Sequence, residues 1–144
     1  MRRAGPGDVD AIATLFRACR DRMAYLPRLE APERVRAWIA DVVLARTEVW
    51  VAEDGGEVVG FAALSDEMLD HLYVAPEAQG RGIGTRLLAQ TKERRPAGFD
   101  LWVFQKNEGA RRFYERHGLR LTELTDGGGN EENEPDARYE WRPR

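Results

Sequence analysis

The sequence predicts one α/β (α+β) domain over residues 1–144, with helices flanking a central sheet. Three observations carry that expectation. Apolar residues recur at the helical period through the first third of the chain, and from Glu48 the pattern changes to that of strands. A strand-like run, Leu69-Asp70-His71-Leu72-Tyr73-Val74, then passes through closely spaced glycines into a helix-like run beginning Thr85-Arg86-Leu87-Leu88. With 144 residues, 42% of them hydrophobic, the chain is long enough to bury a core without disulfides or metal staples.

After a short leading segment, Arg2 to Ala4, the turn Gly5-Pro6-Gly7 and Asp8 read as the N-cap of a first helix. Val9, Ile12, Ala13 and Phe16 give it one apolar face at i, i+3, i+4, i+7. Residues 25–30 form a loop. Pro32 opens a second helix, because proline suits a first-turn position and Val35, Trp38, Ile39, Val42 and Val43 repeat the apolar spacing. Asp54-Gly55-Gly56 between apolar runs at 49–52 and 58–64 signals a β-hairpin. A strand ends at Val74, and the helix after the glycines runs to about Arg94, where Pro96-Ala97-Gly98 breaks it. Residues 99–104 read as a strand and 108–116 as a helix stopped by Gly118. Residues 119–124 and 137–141 read as a final antiparallel pair. The order is β-α-α-β-β-β-α-β-α-β-β. Between the last two strands, residues 126–136 are acidic and flexible in composition.

Gln79-Gly80-Arg81-Gly82-Ile83-Gly84, at the strand-to-helix passage, carries the strongest chemical signal. A chain that turns there points unpaired backbone N–H groups at one spot, backed by the positive end of the helix dipole, and so makes a site for a diphosphate. Glycine fits because it adopts positive φ and lets oxygens approach the amides. A dinucleotide fingerprint is excluded because the spacing is G-x-G-x-G, with the third glycine one residue early. A nucleotide P-loop is excluded because the only lysines are Lys92 and Lys106.

The segment resembles the pyrophosphate loop of the GCN5-related N-acetyltransferases (GNAT superfamily), whose pattern is Gln/Arg-x-x-Gly-x-Gly/Ala after a strand that ends near a proline. Gln79, Gly82 and Gly84 match it, and Tyr73-Val74-Ala75-Pro76 precedes it. Asn107 to Leu119 is similar to the family's N-x-x-A-x-x-F/L-Y-x-x-x-G-F stretch, with Leu119 in place of the usual phenylalanine. The resemblance covers almost the whole chain. It implies a mixed, mostly antiparallel sheet whose strands splay at the site, and an N-acetyltransferase that moves the acetyl group of acetyl-CoA to a primary amine of a small molecule or peptide.

The resemblance also assigns roles. Backbone groups of Leu72, Tyr73 and Val74 would hold the pantetheine arm, and the amides of Gln79, Gly80, Arg81, Gly82, Ile83, Gly84 and Thr85 the pyrophosphate. Asn107 would cap its helix, contact the cofactor, or both, and Phe113 lies in the same motif. Tyr114 aligns with the general acid of many members; a phenol of pKa about 10 stays protonated at neutral pH yet can hydrogen-bond a thiolate. Periodicity by itself reads Tyr114 as core. A lysine-like amine loses its proton at pH 7 at a cost of roughly 4.6 kcal/mol, so some group must help. The glutamate that some members carry before the asparagine is missing, since that strand reads Leu101-Trp102-Val103-Phe104. Asp70 is the replacement favoured here, with His71 second. They lie on opposite faces of a strand, and His117 reads as decoration of a helix C-terminus. The acceptor pocket would draw on Tyr25, Arg28, Glu30, Trp38 and His71, facing the acidic loop. That loop favours a cationic acceptor, whereas Arg28 would suit a carboxylate, so the acceptor's charge stays open. A second reading is a non-catalytic acyl-CoA sensor module of the same fold, and a third is transfer of a longer acyl group.

Net charge is −3 and the arginines are scattered among acids, so no basic stripe points to nucleic acid. Cys19 is the lone cysteine, which rules out an internal disulfide, and it reads as a small buried hydrophobe. No metal site is expected. No apolar run is long enough to span a bilayer and no leading apolar region suggests export, so the expectation is a cytoplasmic protein without a membrane partner. Homodimers are common in the family the chain resembles.

Overall fold

Two antiparallel sheets touch at one point. In the computed structural model, which describes residues 1–144, the first sheet runs β1 (Arg2–Arg3), β2 (Glu48–Asp54), β3 (Glu57–Leu64), β4 (Leu69–Val74). The second runs β5 (Phe99–Phe104), β7 (Asp136–Trp141), β6 (Arg120–Leu124). The only bridge between them is a parallel one from Met68 to Asp100, where the Asp100 N–H donates to the Glu67 carbonyl at 2.8 Å. Past that bridge β4 and β5 no longer pair, which gives the splay that the family resemblance implies. Asp100, 7% exposed, accepts from Arg138 and Arg142 at 2.7 Å each. Burial opposes its ionisation, but these two guanidiniums outweigh burial and hold its pKa below the usual value.

The strand boundaries follow the sequence pattern closely. Gly55 and Gly56 both adopt positive φ (61° and 85°), the requirement of a tight β2–β3 turn. The final antiparallel pair forms as expected, but β7 inserts between β5 and β6, so the last strand in sequence occupies the middle of its sheet.

Helices cover both faces of the first sheet. α1 (Val9–Asp21) buries Val9, Ile12, Ala13, Leu15, Phe16 and Cys19, and packs on β3 and β4 beside α2 (Pro32–Trp38). Phe61 faces this side, stacked on Tyr73. Its neighbour Gly60 faces the other, where α3 (Ile83–Arg94) approaches so closely that a Cβ would lie 3.0 Å from Leu87 and 3.2 Å from Ile83. The last helix, α4 (Glu108–Arg116), buries only Tyr114. Apolar residues from both sheets and all four helices join one buried cluster. No helix is long and apolar enough to cross a membrane, and no group of three or more His, Cys, Asp or Glu could hold a metal ion.

Three expectations need correction. Asp8 stands at the N-cap position but does not cap α1: its carboxylate accepts instead from the Gly5 N–H at 2.7 Å and from Arg2 at 2.7 and 2.9 Å. The charged partner outcompetes the helix amides. The second helix is not regular throughout, since Ile39–Leu44 widens into a π-helix that keeps Ile39 and Val43 buried. The acidic loop, flexible in composition, is cross-linked by its own hydrogen bonds. Asn130 donates to the Glu134 carbonyl at 2.8 Å and accepts from the Glu134 N–H at 3.2 Å, while Gln105 donates to the carbonyls of Thr125 and Asp136 at 2.8 and 3.0 Å.

Glu48 fastens the C-terminal end of α3 to β2. It accepts from Arg94 Nε at 2.6 Å, Trp50 Nε1 at 2.7 Å and Arg95 Nη1 at 3.2 Å. Burial alone would raise its pKa, but these donors lower it to about 2. The depressed native pKa means stability that is present above the unfolded value and lost as pH falls toward 2. After allowance for solvent screening this amounts to about 1–2 kcal/mol. Glu48→Gln is therefore expected to lower Tm at pH 7 and to flatten the fall of Tm between about pH 5 and pH 2, as read by circular dichroism.

Candidate active site

The turn from β4 into α3 presents a row of free backbone donors. Gly80 and Gly82 adopt φ of 84° and 81°, with open space where a Cβ would stand, so it is the backbone conformation that calls for glycine there. Gly84 is different. A Cβ on it would lie 3.3 Å from the Phe113 ring, so its smallness lets α4 close against α3. The amides of residues 80–85 donate to no protein acceptor; the first amide of this region to find one is Arg86, bonded to the Gly82 carbonyl at 3.1 Å. Those donors, with the positive end of a twelve-residue helix behind them, suit a diphosphate. Gln79 ties the turn back to β4 by donating to the Val74 carbonyl at 3.1 Å. Arg81 points away and pairs with Asp54 at 3.3 Å, so only its amide serves the turn.

The edge of β4 supplies a second row. Phe61 pairs with Tyr73, and the Ala75 N–H donates to the Val59 carbonyl at 2.8 Å, so residues 73 and 75 direct their backbone groups at β3. By the alternation of an antiparallel ladder, Leu72 and Val74 direct theirs into the gap toward β5. The Val74 carbonyl already accepts from the Cys19 thiol at 3.2 Å, and burial pushes that thiol's pKa up to about 11. A cleft of about 930 Å³ fills the gap, reaching from the glycine turn past Leu72 and Val74 to Asn107, Phe113 and Tyr114 on the opposite wall.

Tyr114 is 7% exposed, lies on the cleft wall, and makes no hydrogen bond through its hydroxyl. Burial first, and then the nearby Tyr73, raise its pKa, so it holds its proton throughout the neutral range. Asn107 Oδ1 accepts from the Ala110 N–H at 3.3 Å, capping α4, and the residue also lines the cleft. Thr85 reaches His117 at 3.2 Å, joining the first turn of α3 to the end of α4.

At the other end of the cleft, Asp70, His71 and Tyr25 line the wall. Asp70 is exposed yet partly desolvated, which raises its pKa against the opposing effect of a Ser65 hydrogen bond. His71 packs among Phe16, Trp38, Phe61 and Tyr73, and burial, helped by Arg20, lowers its pKa to about 4. It is therefore a neutral imidazole at pH 7. Trp38 supports His71 from behind and stays outside the cleft. Arg28 and Glu30 are exposed and do not reach it either, and Glu30 pairs with Arg34 at 3.8 Å. These positions depend on the path of the 25–30 loop, which no periodic pattern encodes. Sequence reasoning also missed Cys19, Arg22, Lys106, Arg112 and Arg116, which the fold brings to the cleft wall. Only Lys106, next to the second motif, and Arg112 and Arg116, within it, offered any signal.

Comparison with known proteins agrees with this fold. The sequence pattern of the acetyltransferase (GNAT) domain matches residues 45–120. Over 86 residues the chain is 35% identical to the peptidyl-lysine N-acetyltransferase YiaC of Escherichia coli K12; the match covers 59% of this chain and 58% of that protein, so the chain spans less than two thirds of that relative. It is 32% identical over 106 residues to the peptidyl-lysine N-acetyltransferase YjaB of Salmonella typhimurium, covering 73% of this chain and 69% of that one. The structure of YncA from Salmonella typhimurium, solved with its cofactor acetyl-CoA, superposes with a TM-score of 0.76 over 98% of this chain and 91% of that one, at 22% identity, a likeness of fold alone.

Gly82→Ala tests the turn. It forces a side chain into a left-handed conformation at a cost of about 1–2 kcal/mol. By calorimetry, affinity for a diphosphate ligand such as ADP is expected to fall about fivefold or more, with the far-ultraviolet spectrum unchanged.

Proposed function

The chain belongs to the acetyltransferase (GNAT) family, and on that premise we propose that it transfers the acetyl group of acetyl-CoA to a primary amine of a small molecule or peptide, with Tyr114 as general acid. The observation that carries this reading is that the free amide row of 80–85 and the gap-facing edge at Leu72 and Val74 line one cleft together with Tyr114. The residues present fit coenzyme A. The amide row matches its pyrophosphate, and the extended β4 edge matches the alternating amides of its pantetheine arm. When bound, acetyl-CoA supplies an activated thioester. Both curated relatives described above bear the name peptidyl-lysine N-acetyltransferase, which supports an amine acceptor. The reading takes residues 1–144 as a single catalytic domain.

The residues divide the work. Gly80, Gly82 and the first turn of α3 fix one end of the ligand, while Leu72 and Val74 fix its extended arm. The arm is thereby aimed across the gap at α4. Tyr114, neutral and desolvated, holds a proton within the cleft for the departing sulfur. The incoming ammonium must lose a proton first. Asp70 and the neutral His71 are the acceptors at that end of the cleft, and Asp70, exposed at its mouth, can pass the proton on to solvent.

A thiol-release assay with acetyl-CoA against polyamines, amino acids, aminoglycosides and peptides tests the reading. Turnover with at least one amine class is expected, and binding of acetyl-CoA without turnover across the panel would favour a sensor module. Tyr114→Phe is expected to lower kcat about a hundredfold while leaving KM for acetyl-CoA within twofold, since the hydroxyl makes no structural bond. An unchanged kcat at every pH would return Tyr114 to a purely packing role.

A further inference from the structure

The chain has three buried side-chain polar atoms without a hydrogen-bond partner: Arg20 Nε, Tyr25 Oη and Glu134 Oε2. All three come from residues grouped around Phe104. Arg20 lies 6.0 Å over the Phe104 ring, and Tyr25 stands edge-on to that ring at 6.0 Å. Glu134 joins them through Lys106, whose Nζ lies 3.5 Å from Glu134 Oε2 and 5.7 Å over the Tyr25 ring. An unpaired buried polar atom costs about 1–3 kcal/mol, so three in one place mark a site built for something else.

The charges in this cluster are unevenly satisfied. Arg20 is matched by Glu132 at 3.3 Å, and Asp136 by Asn130 at 3.1 Å. Glu134 has only Lys106. Glu134 is 8% exposed, whereas the Lys106 side chain is 61% exposed and sits at the limit of contact. Glu134 is also held rigidly. Asn130 clamps its backbone on both sides, and Gly127, at φ 85°, passes so close that a Cβ there would stand 2.4 Å from the Glu134 carbonyl carbon. A fixed, buried carboxylate beside an aromatic face is suited to a cation, and its present partner is a loosely held ammonium on a flexible stem.

We propose that Glu134, with the face of Tyr25, forms a subsite for an ammonium group carried on an unbranched alkyl stem of the acceptor, and that Lys106 is the stand-in such a group displaces. Tyr25, Phe104 and Lys106 all line the cleft that contains Tyr114, so a group seated there belongs to a molecule that also reaches the reacting end. The assignment of this group to the acceptor rests on the acetyl-transfer reading. Lysine amide, whose α-amine is left to react, and a polyamine share the required chemistry.

Calorimetry with spermidine and with lysine amide as probes, run on the wild-type chain, Glu134→Gln and Lys106→Met, tests the subsite. Glu134→Gln keeps the shape and removes the charge, and is expected to weaken the favoured probe about tenfold. Lys106→Met removes the competitor and is expected to tighten it about two- to fivefold, as for an exposed ion pair. The probe bound more tightly identifies the source of the ammonium. Equal affinities across the three proteins, or no binding by the wild type at millimolar concentration, would overturn the subsite. The thiol-release assay runs alongside. Turnover with a flat affinity order removes the subsite and keeps the acetyl-transfer reading. The expected affinity order without turnover keeps the cation subsite and removes the reading.

Discussion

Everything in the site follows from β4 and β5 pairing once and then parting. Strands in a sheet normally satisfy each other's backbone groups, and an edge left open inside a protein is costly unless something covers it. Here the Met68–Asp100 bridge, with Asp100 clamped by Arg138 and Arg142, brings the two sheets together at one end. Beyond it, Leu72 and Val74 direct their backbone groups toward the gap, and the Val74 carbonyl accepts from Cys19 and Gln79. The same divergence lets α3 start on one side of the slot and α4 on the other, so the free amides and the tyrosine face each other across it.

Close contacts then fix the aim. Gly60 lets α3 press against β3, and Gly84 lets the Phe113 ring of α4 press against α3. Glu48 anchors the far end of α3 through Arg94 and Arg95, while Asn107 caps α4. The amide row and the Tyr114 hydroxyl are thus carried on two helices braced against each other and against the sheet. Packed side chains hold such a spacing more closely than a free loop could.

Burial does the electrostatic work. It keeps Tyr114 protonated and His71 neutral, so the centre of the cleft carries little charge of its own. Charged groups stand elsewhere on the wall, among them Asp70, Arg22, Lys106, Arg112 and Arg116, with free amide donors at the glycine turn.

Local pattern made most of the fold legible. The hairpin at Gly55 and Gly56, the α3 entry at Gly82 and the α4 stretch from Asn107 to Gly118 each combine a periodicity with a glycine where the backbone takes a positive φ that other residues resist, and such signals need no distant partner. The phosphate turn was read from the same kind of evidence, whereas the family and the role given to Tyr114 came from the likeness of two motifs to a known family. What escaped were pairings set by residues far apart in the chain. The insertion of β7 beside β5, the capture of Asp8 by Arg2, the exclusion of Arg28, Glu30 and Trp38 from the cleft, and the burial of Glu134 within an acidic loop all depend on which surfaces meet. The sequence by itself determined the elements, their order and the donors of the anion turn, because backbone conformation is decided within a few residues. Tertiary structure alone decided which polar side chains lost their water, because desolvation depends on every neighbour in space, including those a hundred positions away.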